Sequence, residues 1–286
     1  MASSSSTPAT QSIDSKVFDK TNLRFDPCVQ STFGESKQTY GRSKIQYANP
    51  ALGGALQPMI LKGVPMSCYG VNDNIDEKTK EVTGHSVCYN LPKDDTHHFN
   101  KAVLSIYEAC CEYLATNAEQ CGLNPDNVNS VASAKILLKC PAEFGKNKET
   151  KKVDKSKGRR MYAKLIEYKA TDTKAAKMVT IFDDGQSYNL STRKMERTLN
   201  PLEVRSNVEM IPSFCFDSIY FGSKPSIQVK LPRAVVTREL TQNAVAPLDE
   251  DVGVYMTSLG LGTGEVKEGA GDSSSMGQSS DPATLL

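Results

Sequence analysis

Apolar residues in this chain recur mostly at every second position, in short runs cut by Gly and Pro, and that period of two builds strands. The strictest alternation is in Arg159 to Tyr168. Met161, Ala163 and Leu165 fall on one side of an extended chain, and Arg160, Tyr162, Lys164, Ile166 and Tyr168 fall on the other. Leu23 with Phe25, Ile45 with Tyr47, His85 to Leu91, Met178 to Phe182, Val208 to Phe221 and Ile227 to Val236 read as further strands. The apolar stretch 57–70 is broken by Pro58, Gly63, Pro65 and Gly70, which suits a bent or edge strand. Gly222-Ser223-Lys224-Pro225 reads as a hairpin loop, and Asp183-Asp184-Gly185 as a turn. Ile136, Leu137 and Leu138 read as a short strand, and Glu143 to Gly158 as a polar, basic loop.

One segment departs from this period. Phe99, Val103, Ile106, Tyr107, Cys110 and Leu114 make an apolar stripe at helical spacing over 97–116. Asp95 or Thr96 is placed to cap it, and Gly122 ends the segment. A second, short helix is expected over 124–133. The elements together specify a β-rich (α+β) barrel or sandwich with an inserted amphipathic helix.

The chain has 286 residues. A disordered N-terminal arm over 1–20, one domain over 21–240 and a disordered acidic tail over 241–286 are expected from the composition. Met1 to Gln11 has no Arg and no apolar run, which argues against a secretory signal. No apolar stretch is long enough for a membrane helix. The eight cysteines are scattered, with no CxxC pair, and read as reduced, mostly buried thiols.

Charge is sorted along the chain. Residues 139–169 hold eleven Lys/Arg against four Asp/Glu, a local net of +7, and residues 239–286 hold one Lys against eight Asp/Glu, a local net of −7. A basic segment and an acidic tail of matched size suggest a polyanion-binding surface with a built-in competitor. The strand face Arg160, Tyr162, Lys164, Tyr168 interleaves cations with aromatics about 6.5–7 Å apart, a spacing on which unstacked bases can lie while phosphates meet the cations. A solvated strand face with solubilising cations would show the same pattern. Beside it lie the mobile point charges Lys151, Lys152, Lys155, Lys157 and Arg159, suited to sequence-blind phosphate attraction. Tyr40, Arg42 and Lys44 on one early strand, and Arg193 and Lys194 further on, are candidates to extend the groove. His85 and Cys88 have no second pair at zinc-like spacing. No nucleophile, phosphate-loop or metal motif makes a case for an enzyme or a cofactor.

Pro58-Met59-Ile60-Leu61-Lys62-Gly63-Val64-Pro65-Met66-Ser67-Cys68-Tyr69-Gly70-Val71-Asn72 resembles the early strand of the single-stranded DNA-binding proteins of large nucleocytoplasmic DNA viruses. Phe216 to Gly222 with Pro225 to Leu231 resembles that family's closing strand pair, with Tyr220 where relatives often carry Trp. The order of elements agrees over about residues 21–236. The resemblance implies an OB-like β-barrel related to the single-stranded DNA-binding proteins of short-tailed phages, whose acidic tails contact replication proteins and compete with DNA. Those tails end in an aromatic residue, whereas this chain ends in Leu285-Leu286.

The expected function is sequence-independent binding of single-stranded DNA in viral replication, recombination or repair, without catalysis. The expected setting is the host cytoplasm, in a viral factory, or the nucleus. Replication proteins are expected partners through the tail, and homodimerisation is left open. A virion structural or adaptor protein without nucleic-acid affinity is the alternative, and an RNA-binding module a third.

Overall fold

The computed structural model describes residues 11–33, 38–147, 149–150, 152–170, 174–222 and 225–240. Five strands close on one another: β1 (Met66–Ile75), β2 (Val82–Asn90), β3 (Arg159–Leu165), β4 (Val208–Phe221) and β5 (Ser226–Glu239). β1, β2 and β3 form an antiparallel meander, and β4 and β5 form the closing hairpin. β4 returns to β1 through Val208↔Cys68 and Met210↔Met66, and β5 runs parallel to β3 through Lys164↔Lys230 and Leu165↔Leu231. The circuit β1-β2-β3-β5-β4 with its parallel seam is an OB-like barrel. Strand Gln38–Asn49 extends the sheet outward from the far end of β4, and strand Val29–Phe33 pairs with it in turn.

Alternation places the core. Val87, Tyr89, Met161, Ala163, Leu165, Ile227, Val229 and Leu231 turn inward and are buried. Two helices lie between β2 and β3: α1 (His98–Asn117) and α2 (Val131–Leu137). The α1 stripe is buried throughout, with Phe99, Val103, Ile106, Cys110 and Leu114 inaccessible and Tyr107 partly covered. Phe99 lies 5.8 Å from Phe214 of β4, whose ring also meets Tyr89 of β2 edge-on at 5.0 Å. Tyr113 stacks on Phe25 at 4.7 Å. A buried side chain of this size contributes about 1.5–3 kcal/mol, so packing, more than helix propensity, holds α1.

Several expectations need correction. The run Ile136-Leu137-Leu138 is not a strand: Ile136 and Leu137 end α2, which a reciprocal capping box of Ser130 and Ser133 starts. Ile136 is 90 % exposed, so the apolar run there does not mark a core strand. This helix replaces the one expected over 124–133, and α1 starts from a His97 cap, not from Asp95 or Thr96. The alternating run from Arg159 is one strand only to Leu165. Glu167–Tyr168 belongs to a separate ladder with Lys177–Met178, because Ile166 turns its backbone to Val179 and Thr180. Residues 11–20 are ordered: Ile13–Asp14 runs parallel to Leu61–Lys62, and Ile13 is buried. Within the basic loop, Ala142–Phe144 pairs with β3 as a short strand. Asp183 and Asp184 lie in strand Ile181–Asp184 and are buried against Arg233 and Arg197, and the turn follows them. All eight cysteines are free thiols. Residues 1–10 and the acidic tail from 241 lie outside the described residues.

The start of α1 is sensitive to protons. His97 Nδ1 accepts a hydrogen bond from the Phe99 amide at 3.1 Å, His98 Nδ1 meets Ser15 Oγ at 2.7 Å, and the two rings lie 4.1 Å apart. Burial first, then the neighbouring His98 and Lys16, hold His97 below the ordinary value of 6.5, with Asp94 opposing. Burial and Lys16 do the same to His98, with Asp14 opposing. The unfolded chain therefore takes up protons at higher pH than the folded one. The stability these rings contribute is complete above about pH 6.5 and falls as pH drops through the folded values. Thermal melts should show a lower Tm at about pH 5.5 than at about pH 7.5, and the difference should shrink in a His97→Gln/His98→Gln double variant.

Candidate nucleic-acid interface

The outer surface of β1, β2 and β3 is set by register. Arg160 stands opposite Asn90, Tyr162 opposite Cys88, and Lys164 opposite Ser86, which pairs onward with Asn72. β1 carries one extra residue between Cys68 and Val71, where β2 advances only from Tyr89 to Val87. This bulge, with Gly70 at φ +74°, leaves Tyr69 on the open surface, 42 % exposed. Arg160 sits with its guanidinium 5.5 Å from the Tyr69 ring and donates from Nη2 to Tyr69 Oη at 3.3 Å. Tyr162 is 63 % exposed beside it. Hydrogen bonding to Cys88 first, then burial, holds its phenol above the ordinary value, so the ring is neutral at pH 7. Lys164 completes the row, exposed, with Nζ 3.3 Å from Gln228 Oε1. A cleft of about 560 Å³ opens alongside, lined by Arg160, Tyr162, Lys164, Gln228, Ser86 and Lys146 among others.

The other candidates divide. Arg159 sits over the Phe144 ring with Cζ 3.9 Å from its centroid, donates to Asp95 and to the Ala142 carbonyl, and is only 16 % exposed. It is a fixed structural cation, not a mobile charge. The basic loop folds back on itself through Lys146↔Val153 and Gly145 N to the Gly158 carbonyl. Lys157 is tied to the Lys146 carbonyl at 3.0 Å and lies 3.7 Å from Asp154. Lys155 lies 6.0 Å from the Phe144 ring. Lys152 is exposed, and Lys151 lies outside the described residues.

Arg42 is already neutralised. It donates to Ser218 and pairs with Asp217, the bulge residue of β4, which Lys230 also meets at 3.1 Å. Burial alone would push the Asp217 carboxyl up, but Lys230, Arg42 and Ser218 together hold it below the ordinary range. Tyr40 is stacked on Tyr220 at 5.4 Å, and Lys44 is exposed next to them. Tyr168, equally exposed, stands on the Glu167–Tyr168 ladder. Arg193 and Lys194 belong to a small hairpin with Tyr188–Asn189, whose ladder does not join the barrel sheet. The structure therefore brings together Arg160, Tyr162 and Lys164, and adds Tyr69 and Gln228. The aromatic-Gly step Tyr69-Gly70 was the available signal for Tyr69; nothing local marked Gln228.

His85 and Cys88 lie three apart on β2 and so project from opposite sides. His85 is hydrogen bonded to Glu167 at 2.8 Å. Among the described residues no group of three His, Cys, Asp or Glu is placed to hold a metal ion, and no helix is long and apolar enough to cross a membrane.

Fold and surface together define an OB-like barrel protein with an aromatic–cationic outer face. Residues 29–251 match the family described as "Protein of unknown function (DUF2738)", and the chain belongs to that family. No curated protein and no solved structure matches it significantly.

Proposed function

We propose that this protein binds single-stranded DNA without a strict sequence requirement and without catalysis, in viral DNA replication, recombination or repair. The observation that carries the reading is the row Tyr69, Arg160, Tyr162, Lys164, with Tyr69, Tyr162 and Lys164 exposed and Arg160 half-buried, on the strands of a barrel class that commonly binds oligonucleotides. Aromatic faces stack any base, and Lys164 with the exposed lysines of the 146–157 loop meets phosphates. The viral setting, in a cytoplasmic factory or the nucleus, rests on the resemblance of 58–72 and 216–231. Binding to replication proteins through the tail rests on the same resemblance.

Fluorescence anisotropy with oligo-dT at two salt concentrations tests it. Affinity should fall steeply with salt, with a log–log slope near −0.7 per phosphate neutralised. Absence of binding at low salt sinks the reading. Competition with a matched RNA oligonucleotide separates DNA binding from RNA binding. Deleting 241–286 should tighten binding several-fold at low salt, and the gain should vanish as the Debye length shrinks below about 8 Å. An unchanged low-salt affinity removes the competitor role from the tail.

A structural or adaptor role has one observation in its favour. Among the described residues, strand Val29–Phe33 has its registered partner only in Gln38–Asn49, and it carries no charged residue, so its other edge is a candidate for pairing with another strand. That role predicts a stable assembly without nucleic-acid affinity.

A further inference from the structure

The cleft beside Tyr162 arises from a fork in the sheet. β3 pairs with Ala142–Phe144 as far as Met161↔Ala142, and with β5 only from Lys164↔Lys230. Between these points Tyr162 and Ala163 are in register with β2 alone. Pro141, where the short strand peels away, has no N–H with which to continue the ladder. The resulting 560 Å³ lies within the range of small-ligand sites.

The walls carry an excess of donors. Lys164 donates to Gln228 Oε1, and only an amide oxygen can accept from an ammonium, so the Gln228 amino group points the other way. One of its hydrogens goes to Ser226 Oγ at 2.9 Å, and the second has no acceptor among the described residues. Lys164 keeps two more hydrogens. The one carboxylate in the lining, Glu143, is engaged by Lys139 at 3.2 Å. A ligand that fits these walls must bring acceptors.

We propose that this cleft seats one base of the bound strand and favours bases with a carbonyl at position 4, uracil or thymine, over cytosine. The proposal rests on the single-strand-binding reading above. Phosphates are common to every sequence, so the cleft adds a graded preference to a sequence-tolerant platform. At position 4, uracil and thymine present an oxygen acceptor and cytosine an amino donor. The cytosine donor would face Lys164 and the spare Gln228 hydrogen without an acceptor.

Anisotropy titrations with oligo-dU and oligo-dC of equal length test this, because the two differ only at position 4 and in the accompanying N3 proton. Oligo-dU should bind about tenfold more tightly, the effect of one unmatched donor. Gln228→Leu should bring the two affinities together. The isosteric Gln228→Glu, which turns the spare donor into an acceptor, should shift preference toward oligo-dC, and thermal melts check that both variants fold. Equal wild-type affinity for the two, or a ratio that neither variant changes, overturns the base cleft and leaves single-strand binding standing. Failure to bind either oligonucleotide at low salt overturns both.

Discussion

Gly70→Ala should cost the barrel at least about 3 kcal/mol. Gly70 has φ +74°, where an L side chain is strained by about 1–2 kcal/mol. A Cβ there would also sit 2.7 Å from the Ser206 carbonyl and 2.8 Å from both Arg205 C and the Val204 carbonyl. All three are backbone atoms and cannot swing aside. The crossing segment is held in place, since Val71 N donates to the Val204 carbonyl at 2.7 Å and Arg205 pairs with Asp73. Gly54→Ala is the control. It has φ +81° with nothing within 4 Å, so it should cost only the conformational part, about 1 kcal/mol. Urea melts of the two variants separate strain from collision. Similar losses would show that the 204–206 segment can move away from β1.

Replacing Tyr69 and Tyr162 together by Ala should weaken oligo-dT binding by about 2–6 kcal/mol, on the scale of one stacked base per ring. Each single variant should lose about half. The salt slope should stay at its wild-type value, because neither ring neutralises a phosphate. Lys164→Met should do the reverse, lowering the slope with a smaller loss at high salt. Tyr168→Ala should matter less than Tyr162→Ala, because Tyr168 stands on a different ladder from the β3 row. If the double variant binds as wild type does, this face is not the binding surface.

What could be read beforehand was local. Period-two alternation located β2, β3, β4 and β5 to within a few residues, because each strand must send alternate side chains into the core. The α1 stripe was equally legible. The run 136–138 misled because apolar residues adjacent in sequence look alike in a buried strand and at the end of a short amphipathic helix. There Ser130 decides the outcome through its backbone cap. At the interface, Arg160, Tyr162 and Lys164 share one strand and were visible together. Tyr69 reaches them only through the β1 bulge and the β1–β2–β3 pairing. Arg42 and Arg159 looked like available cations because Asp217 and Asp95, which occupy them, lie 175 and 64 residues away. Distance along the chain, and not ambiguity of residue type, hid those pairings.

The closing hairpin sets the order in which this chain can mature. β4 and β5 supply both seams that complete the ring, to β1 across some 140 positions and to β3 across some 65. During synthesis the ribosome must therefore deliver nearly everything up to 239 before the ring can shut. Until then the meander presents two unpaired borders and the apolar inward faces of Val87, Tyr89, Met161 and Leu165. Such a nascent chain is a substrate for holding chaperones and a seed for intermolecular strand pairing. A premature stop anywhere before the hairpin should yield aggregates or proteolysed fragments, never a smaller working barrel.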